Sequence, residues 1–354
     1  MERTKATAPA SLGSQMIRHQ TDEATNKKRK KKKYDGDGSV LISTGSTLLD
    51  LAISGGRFHA GGLPLGIFVE IFGPSGAGKT VLLCQIAGNV QKLNGDVMFH
   101  DPEARLNKQF ARMFGLDISD ISYKVSNTVT DVFENVREWE TENTINGIFA
   151  DSLAALSTDM EMNPKTGDKM GMRRAKEFSE ELRKTCRILT QNNLLMVCSN
   201  QVRQNLDAGP YGQKVISPGG EAIGFYASLR LRCKSPVKIK EKHKIGAREY
   251  ERTIGVSTKV EVFKSSIWKP FREETIEIIY DYGVDDIRCN LKCLKTNTGA
   301  ALYKLNGRKL GKGIDHAFRM VEEEGLEEEL KEAVIELWNE IESHFQSERK
   351  PRME

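Results

Sequence analysis

Residues 73–80 read Gly-Pro-Ser-Gly-Ala-Gly-Lys-Thr, a complete G-x-x-x-x-G-K-T, directly after the apolar run Ile67-Phe68-Val69-Glu70-Ile71-Phe72. A strand, a glycine-rich turn and a helix in that order form a phosphate-binding loop. Gly73, Gly76 and Gly78 let the backbone turn tightly and aim its N–H groups at a polyphosphate, to which the opening helix adds its positive dipole end. Lys79 would reach the β- and γ-phosphates, and Thr80 would hold Mg²⁺. The amphipathic Val81-Leu82-Leu83 and Ile86-Ala87 carry the helix onward. The nucleotide-binding set is therefore Gly73, Pro74, Ser75, Gly76, Ala77, Gly78, Lys79, Thr80 and Val81.

A chain of 354 residues buries a sizeable core and has room for one large domain and a smaller one. No apolar run approaches ~18 residues and no apolar signal segment opens the chain, which argues against membrane insertion and secretion. The cysteines at 84, 186, 198, 233, 289 and 293 form no C-x-x-C pair, so reduced cytoplasmic thiols are expected. Of the net charge of +4, residues 1–38 carry +5, mostly in the run Lys27-Lys28-Arg29-Lys30-Lys31-Lys32-Lys33. That composition predicts a disordered basic tail suited to non-specific contact with nucleic acid.

Strand-like runs recur at 67–72, 96–100, 145–150, 194–199 and 227–233, separated by helical patterns at 79–92, 104–114, 129–142 and 173–191. This alternation predicts an α/β core with a mostly parallel central sheet and crossover helices. From about 256 the pattern turns β-rich, at 257–263 and 274–280. The last seventy residues predict a small α+β domain ending in a charged helix from about 326 to 345. The expected division is a tail over 1–38, an ATPase core over 39–282 and a C-terminal α+β domain over 283–354.

Other strand ends converge on the loop. The run 145–150 ends in Asp151-Ser152, as a Walker B strand delivering a carboxylate to Mg²⁺ does. Met98-Phe99-His100-Asp101-Pro102-Glu103 brings carboxylates to the same edge, and Glu103 is the candidate general base. The run 194–199 ends in Asn200-Gln201, where Gln201 could sense the γ-phosphate. Two pattern-free stretches, 159–172 and 202–221, would leave the same side of the sheet. There Arg173, Arg174, Arg203 and Lys214 beside Met170, Met172 and Leu206 suit a strand of nucleic acid.

The chain resembles the RecA family of recombinases, of bacterial or phage type, over roughly residues 40–345. Besides the P-loop, the resemblance is carried by 42–46 with Leu49-Asp50, 61–66, Asp101-x-Glu103, 151–156, Asn200-Gln201-Val202-Arg203, and the block Gly219-Gly220-x-Ala222 to Leu231. It implies a helical filament on single-stranded DNA, pairing with double-stranded DNA and strand exchange, with ATP between protomers. It implies that Glu103 activates water, that Gln201 links the γ-phosphate to the second loop, and that Phe110, Tyr280 and Asn107 lie near adenine. The DNA-binding loops would include Met170, Gly171, Met172, Arg173, Arg174, Arg203, Leu206, Lys214, Gly219 and Gly220. Lys264 stands where the family places the first of two cross-protomer lysines, but Ser266 replaces the second. The family's N-terminal docking helix is not recognisable in 1–38, residues 57–60 are an insertion, and the acidic C-terminal tail is missing.

Two other classes compete with a DNA-dependent ATPase. A RecA-fold motor or regulator would keep the Walker elements without the DNA loops, against which the block 219–231 speaks. A small-molecule kinase would need a lid-type arginine cluster, and none is evident.

Overall fold

In the computed structural model the residues described are 40–347 and 349, except 59, 159–169, 205–214, 217, 219 and 220. The expected basic tail and most of both expected DNA loops therefore lie outside the described residues.

Among the described residues the centre is a 10-stranded sheet. Strands β3 (Phe68–Phe72), β4 (Asp96–His100), β5 (Ser122–Lys124), β6 (Asn146–Ala150), β7 (Leu194–Asn200) and β10 (Leu229–Cys233) run parallel in the order β10-β3-β7-β6-β4-β5. β3, β6 and β7 are buried along their whole length, as expected of strands covered on both faces. Beyond β10 the sheet continues antiparallel through β12 (Arg248–Ser265), β13 (Glu273–Ile279) and β14 (Gly283–Val284). β11 (Val237–Ile245) pairs with β12 alone. Three two-stranded pieces complete the set: β1 (Leu41–Ile42) with β2 (Leu63–Pro64), β8 (Arg203–Gln204) with β9 (Val215–Ile216), and β15 (Tyr303–Leu305) with β16 (Arg308–Gly311).

Helix α1 (Thr47–Ser54) is capped by the Ser46 side chain, and α2 (Lys79–Lys92) follows the P-loop. α3 (Lys108–Met113) is short, and α4 (Val129–Glu138) begins with a Thr128–Asp131 capping box. α5 (Met170–Asn192) and α6 (Glu221–Tyr226) precede β7 and β10. One sheet face packs α2 against residues such as Val69, Phe99 and Leu195. The other packs α4 and α5 through Phe133, Phe178 and Leu182 against Phe68 and Ile148.

Towards the C-terminus, α7 (Asp286–Asn297), α8 (Ile314–Glu323) and α9 (Glu327–Ser343) surround the β15–β16 hairpin with their own core. Leu48 and Leu51 of α1 belong to that core as well. Trp268 packs beside Trp338 of α9 with ring centroids 5.5 Å apart, and the Arg272 guanidinium lies 4.1 Å over the Trp268 ring. Among the described residues no helix is long and apolar enough to cross a membrane.

Candidate functional site

The P-loop leaves β3 and closes at α2, where Gly78 adopts φ +84. Space forces glycine here as strongly as conformation does. A Cβ on Gly78 would lie 2.1 Å from Ile278 Cδ1, and one on Gly73 would lie 2.4 Å from the Cys233 carbonyl oxygen. Lys79 Nζ donates to the carbonyls of Gly73 at 3.0 Å and Pro74 at 2.8 Å, so the ammonium is already drawn over the loop. Burial lowers its pKa from the ordinary lysine value, opposed by charge at Cys233 and Asp151.

The wall expected to hold a cation is built from two further elements. Thr80 Oγ1 donates to Asp151 Oδ2 at 2.5 Å, and the Ser199 hydroxyl donates to Asp151 Oδ1. One hydroxyl and one carboxylate, with phosphates and water to complete the shell, is the donor set Mg²⁺ favours. Among the described residues no group of three or more His, Cys, Asp or Glu could hold a metal ion. Ser199 was not anticipated; the only trace in the sequence is the polar ending of an otherwise apolar strand.

The opposite wall follows β4. Asp101 is buried, and its Oδ2 accepts from the Leu106 N–H at 2.7 Å and the Tyr123 hydroxyl at 2.8 Å. These bonds hold 101–107 as a loop, so the helix expected from 104 starts at Lys108. Asn107 caps it by accepting from the N–H groups of Gln109 and Phe110. Glu103 pairs with Arg105 at 2.6 Å, its own side chain 22 % exposed and that of Arg105 81 %. Arg105 and Tyr123 were not singled out in the sequence either.

One cavity of about 960 Å³ brings together the P-loop, Asp151, Glu103, Gln201, Asn107, Phe110 and Tyr280. Of residues 73–81, Ala77 does not line the cavity: it is buried in the core. Lys264 is not on this cavity. Its Nζ donates to the carbonyls of Gly224 and Phe225, both at 2.8 Å, at the end of α6. Exposed Ser266 bonds through its N–H to the Ser228 carbonyl, and Lys269 stands 3.5 Å from Glu342 of α9.

A buried polar chain runs behind the loop. Asn200 Nδ2 donates to Glu70 Oε1 at 2.9 Å and to the Pro218 carbonyl at 2.9 Å. Glu70, fully buried, pairs with Arg230 at 2.6 Å, and Arg230 lies 4.6 Å over the Phe72 ring.

The expected DNA contacts are only partly described. The Arg174 guanidinium donates to the carbonyls of Leu153 at 2.6 Å and Ala154 at 2.8 Å, while Arg203 is exposed on β8. Met170, Gly171, Met172 and Arg173 open α5, with side chains outside the description. Leu206, Lys214, Gly219 and Gly220 lie outside the described residues.

Comparison with known proteins identifies the family. A family model described as the RecA N-terminal domain matches residues 23–285. Protein RecA of Azoarcus sp. (strain BH72) is 32 % identical over 293 residues, covering 80 % of this chain and 80 % of its own length. Protein RecA of Delftia acidovorans (strain DSM 14801 / SPH-1) is 31 % identical over 311 residues, covering 84 % and 80 %. With the P-loop, its carboxylate partner and the mostly parallel sheet in place, the chain belongs to the RecA family and so to the ATP-dependent proteins of recombination and repair.

Proposed function

We propose that the protein is a DNA-dependent ATPase that assembles as a helical filament on single-stranded DNA and pairs it with double-stranded DNA, exchanging strands. The observation that carries this reading is one cavity that holds Lys79, Thr80, Asp151, Glu103 and Gln201 together on the edge from which the two DNA loops depart. The fold is organised as a tail over 1–38, an ATPase core over 39–282 and a C-terminal domain over 283–354, and the protein works in the cytoplasm.

Lys79 would bring its ammonium from the loop carbonyls to the β- and γ-phosphates, and Thr80 with Asp151 would hold Mg²⁺. Bound Mg²⁺ supplies neutralisation of phosphate charge. Ser199 fixes the Asp151 carboxylate, and Asp101 fixes the loop that carries Glu103. Glu103 orients water and takes its proton. Phe110 and Tyr280 flank the base, with Asn107 as its polar contact. Gln201 carries the state of the γ-phosphate towards the second DNA loop. Lys264, absent from its own chain's cavity, reaches the ATP of a neighbouring copy.

Measuring ATP hydrolysis with and without single-stranded DNA tests this reading. Turnover should rise with DNA and vanish in Lys79→Ala. Hydrolysis indifferent to DNA would instead support a RecA-fold motor or regulator without strand exchange.

A further inference from the structure

β11 and the first part of β12 form a long hairpin that the ATPase reading does not use. It closes through Gly246-Ala247, with Gly246 at φ +63, the first position of a two-residue turn that glycine favours. From the register shift at Ile239/Lys240 outward, six residues of β11 extend about 20 Å, and among the described residues no strand but β12 lies beside them. β12 enters the sheet only from Gly255 on, against β13 and then β10. The hairpin thus projects past the edge where β3, β6, β7 and β10 end, with Val256 at its base lining the nucleotide cavity.

Its composition sets it apart. Residues 237–254 hold six Lys or Arg and three Glu, a balance of +3, and nearly all of β11 is exposed. Alternation puts Lys238, Lys240, Lys242 and Lys244 on one face. Lys240 pairs with Glu251 at 2.6 Å and Lys242 with Glu249 at 2.9 Å, whereas Lys238 and Lys244 make no ion pair among the described residues. Exposed pairs like these contribute under ~1 kcal/mol and exchange readily for phosphate.

We propose that this lysine face binds the phosphate backbone of double-stranded DNA, extending the DNA-binding edge by an arm. The proposal rests on the DNA-binding reading above. A duplex fits better than a single strand because single-strand surfaces interleave cations with aromatic stacking platforms. The lysine face carries no aromatic residue, Tyr250 lying on the other face opposite His243. A two-stranded ribbon also has dimensions that a major groove admits.

The test uses the full-length protein with a fluorescent random-sequence duplex and a single strand of equal length, titrated across salt. Each phosphate contact contributes about 0.9 to the slope of log K against log salt for a duplex. Lys238→Thr with Lys244→Thr should flatten the duplex slope by about 2, so raising salt from about 50 to about 200 mM should weaken binding roughly tenfold less than in wild type. Glu249→Gln with Glu251→Gln frees two lysines and should steepen the same slope, a gain that misfolding cannot imitate. Single-strand slopes should stay put in both variants. Unchanged duplex slopes, or equal changes with the single strand, would overturn the proposal. Should the wild type show no DNA-stimulated ATP hydrolysis, the proposed function falls while the duplex slopes still decide the hairpin.

Discussion

Gly78→Ala puts a methyl where the backbone and a neighbour both exclude it. At φ +84 a residue with a Cβ is strained by about 1 kcal/mol or more. The new methyl would also start 2.1 Å from Ile278 Cδ1, an overlap that shifts of side chain and backbone relieve at a cost of about 1–3 kcal/mol. Together the substitution should destabilise the fold by about 2–4 kcal/mol. Ile278→Val deletes the clashing Cδ1 and alone should cost about 1 kcal/mol. Combined with Gly78→Ala it should remove the overlap and leave the backbone strain. The double variant should therefore be more stable than the two single losses predict, by about 1–3 kcal/mol. Urea unfolding of the four proteins without nucleotide, followed by circular dichroism, measures the coupling. Additivity within about 0.5 kcal/mol would refute the idea that Ile278 closes on the P-loop.

Glu103→Gln should preserve ATP affinity and slow DNA-stimulated hydrolysis by roughly 10²-fold or more, as expected for a lost general base; a collapse of nucleotide affinity would instead assign Glu103 a structural role. Ser266→Lys should raise DNA-stimulated turnover, by less than the ~10³-fold an arginine finger can give, and steady-state ATPase assays would expose an unchanged rate as evidence that Lys264 suffices. Lys269 is a poor substitute because it sits with Glu342 and 5.2 Å from the Trp268 ring. His100 is fully buried between Ser126 and Met98, and burial pulls its pKa down to about 4. Its neutral form suits the fold. Stability is complete above the unfolded histidine value of about 6.5 and falls by about 1.4 kcal/mol per pH unit as pH drops towards 4. Urea midpoints of wild type and His100→Gln at pH 7 and pH 5 should diverge accordingly, and parallel acid losses would count against this account.

That the residues of the candidate site would meet at one cavity was legible because the parts of the site are local. Gly73–Thr80 and the strand ending at Asp151 announce themselves by spacing and by apolar runs, and the mostly parallel direction of the strands follows from strand–helix alternation. What escaped depends on partners distant in the chain. The Asp151–Ser199 bond spans 48 residues, and the Asp101–Tyr123 bond, 22 residues long, helps replace the expected start of a helix at 104 with a loop. The hairpin escaped for the opposite reason. Val237–Ile245 buries almost nothing, so its register rests on backbone pairing and a turn, and its alternating lysines leave no apolar pattern to mark a strand. The expected helix 129–142 stops at Glu138, where Trp139 takes extended backbone.

The Trp268–Trp338 pair decides what light can report about this protein. Of three tryptophans, two sit where the loop after β12 meets α9; the third, Trp139, packs against the core between the sheet and α4–α5. The pair is further locked by Gly55, whose missing Cβ would lie 2.9 Å from the Trp268 ring, and by the ion pair of Arg272 with Glu342. The aromatic residues lining the nucleotide cavity are phenylalanines and a tyrosine. Two of the three indole emitters therefore lie at the seam between α9 and the rest of the chain, and none of the three lines the cavity. A red shift during denaturation carries the opening of that seam together with the exposure of Trp139.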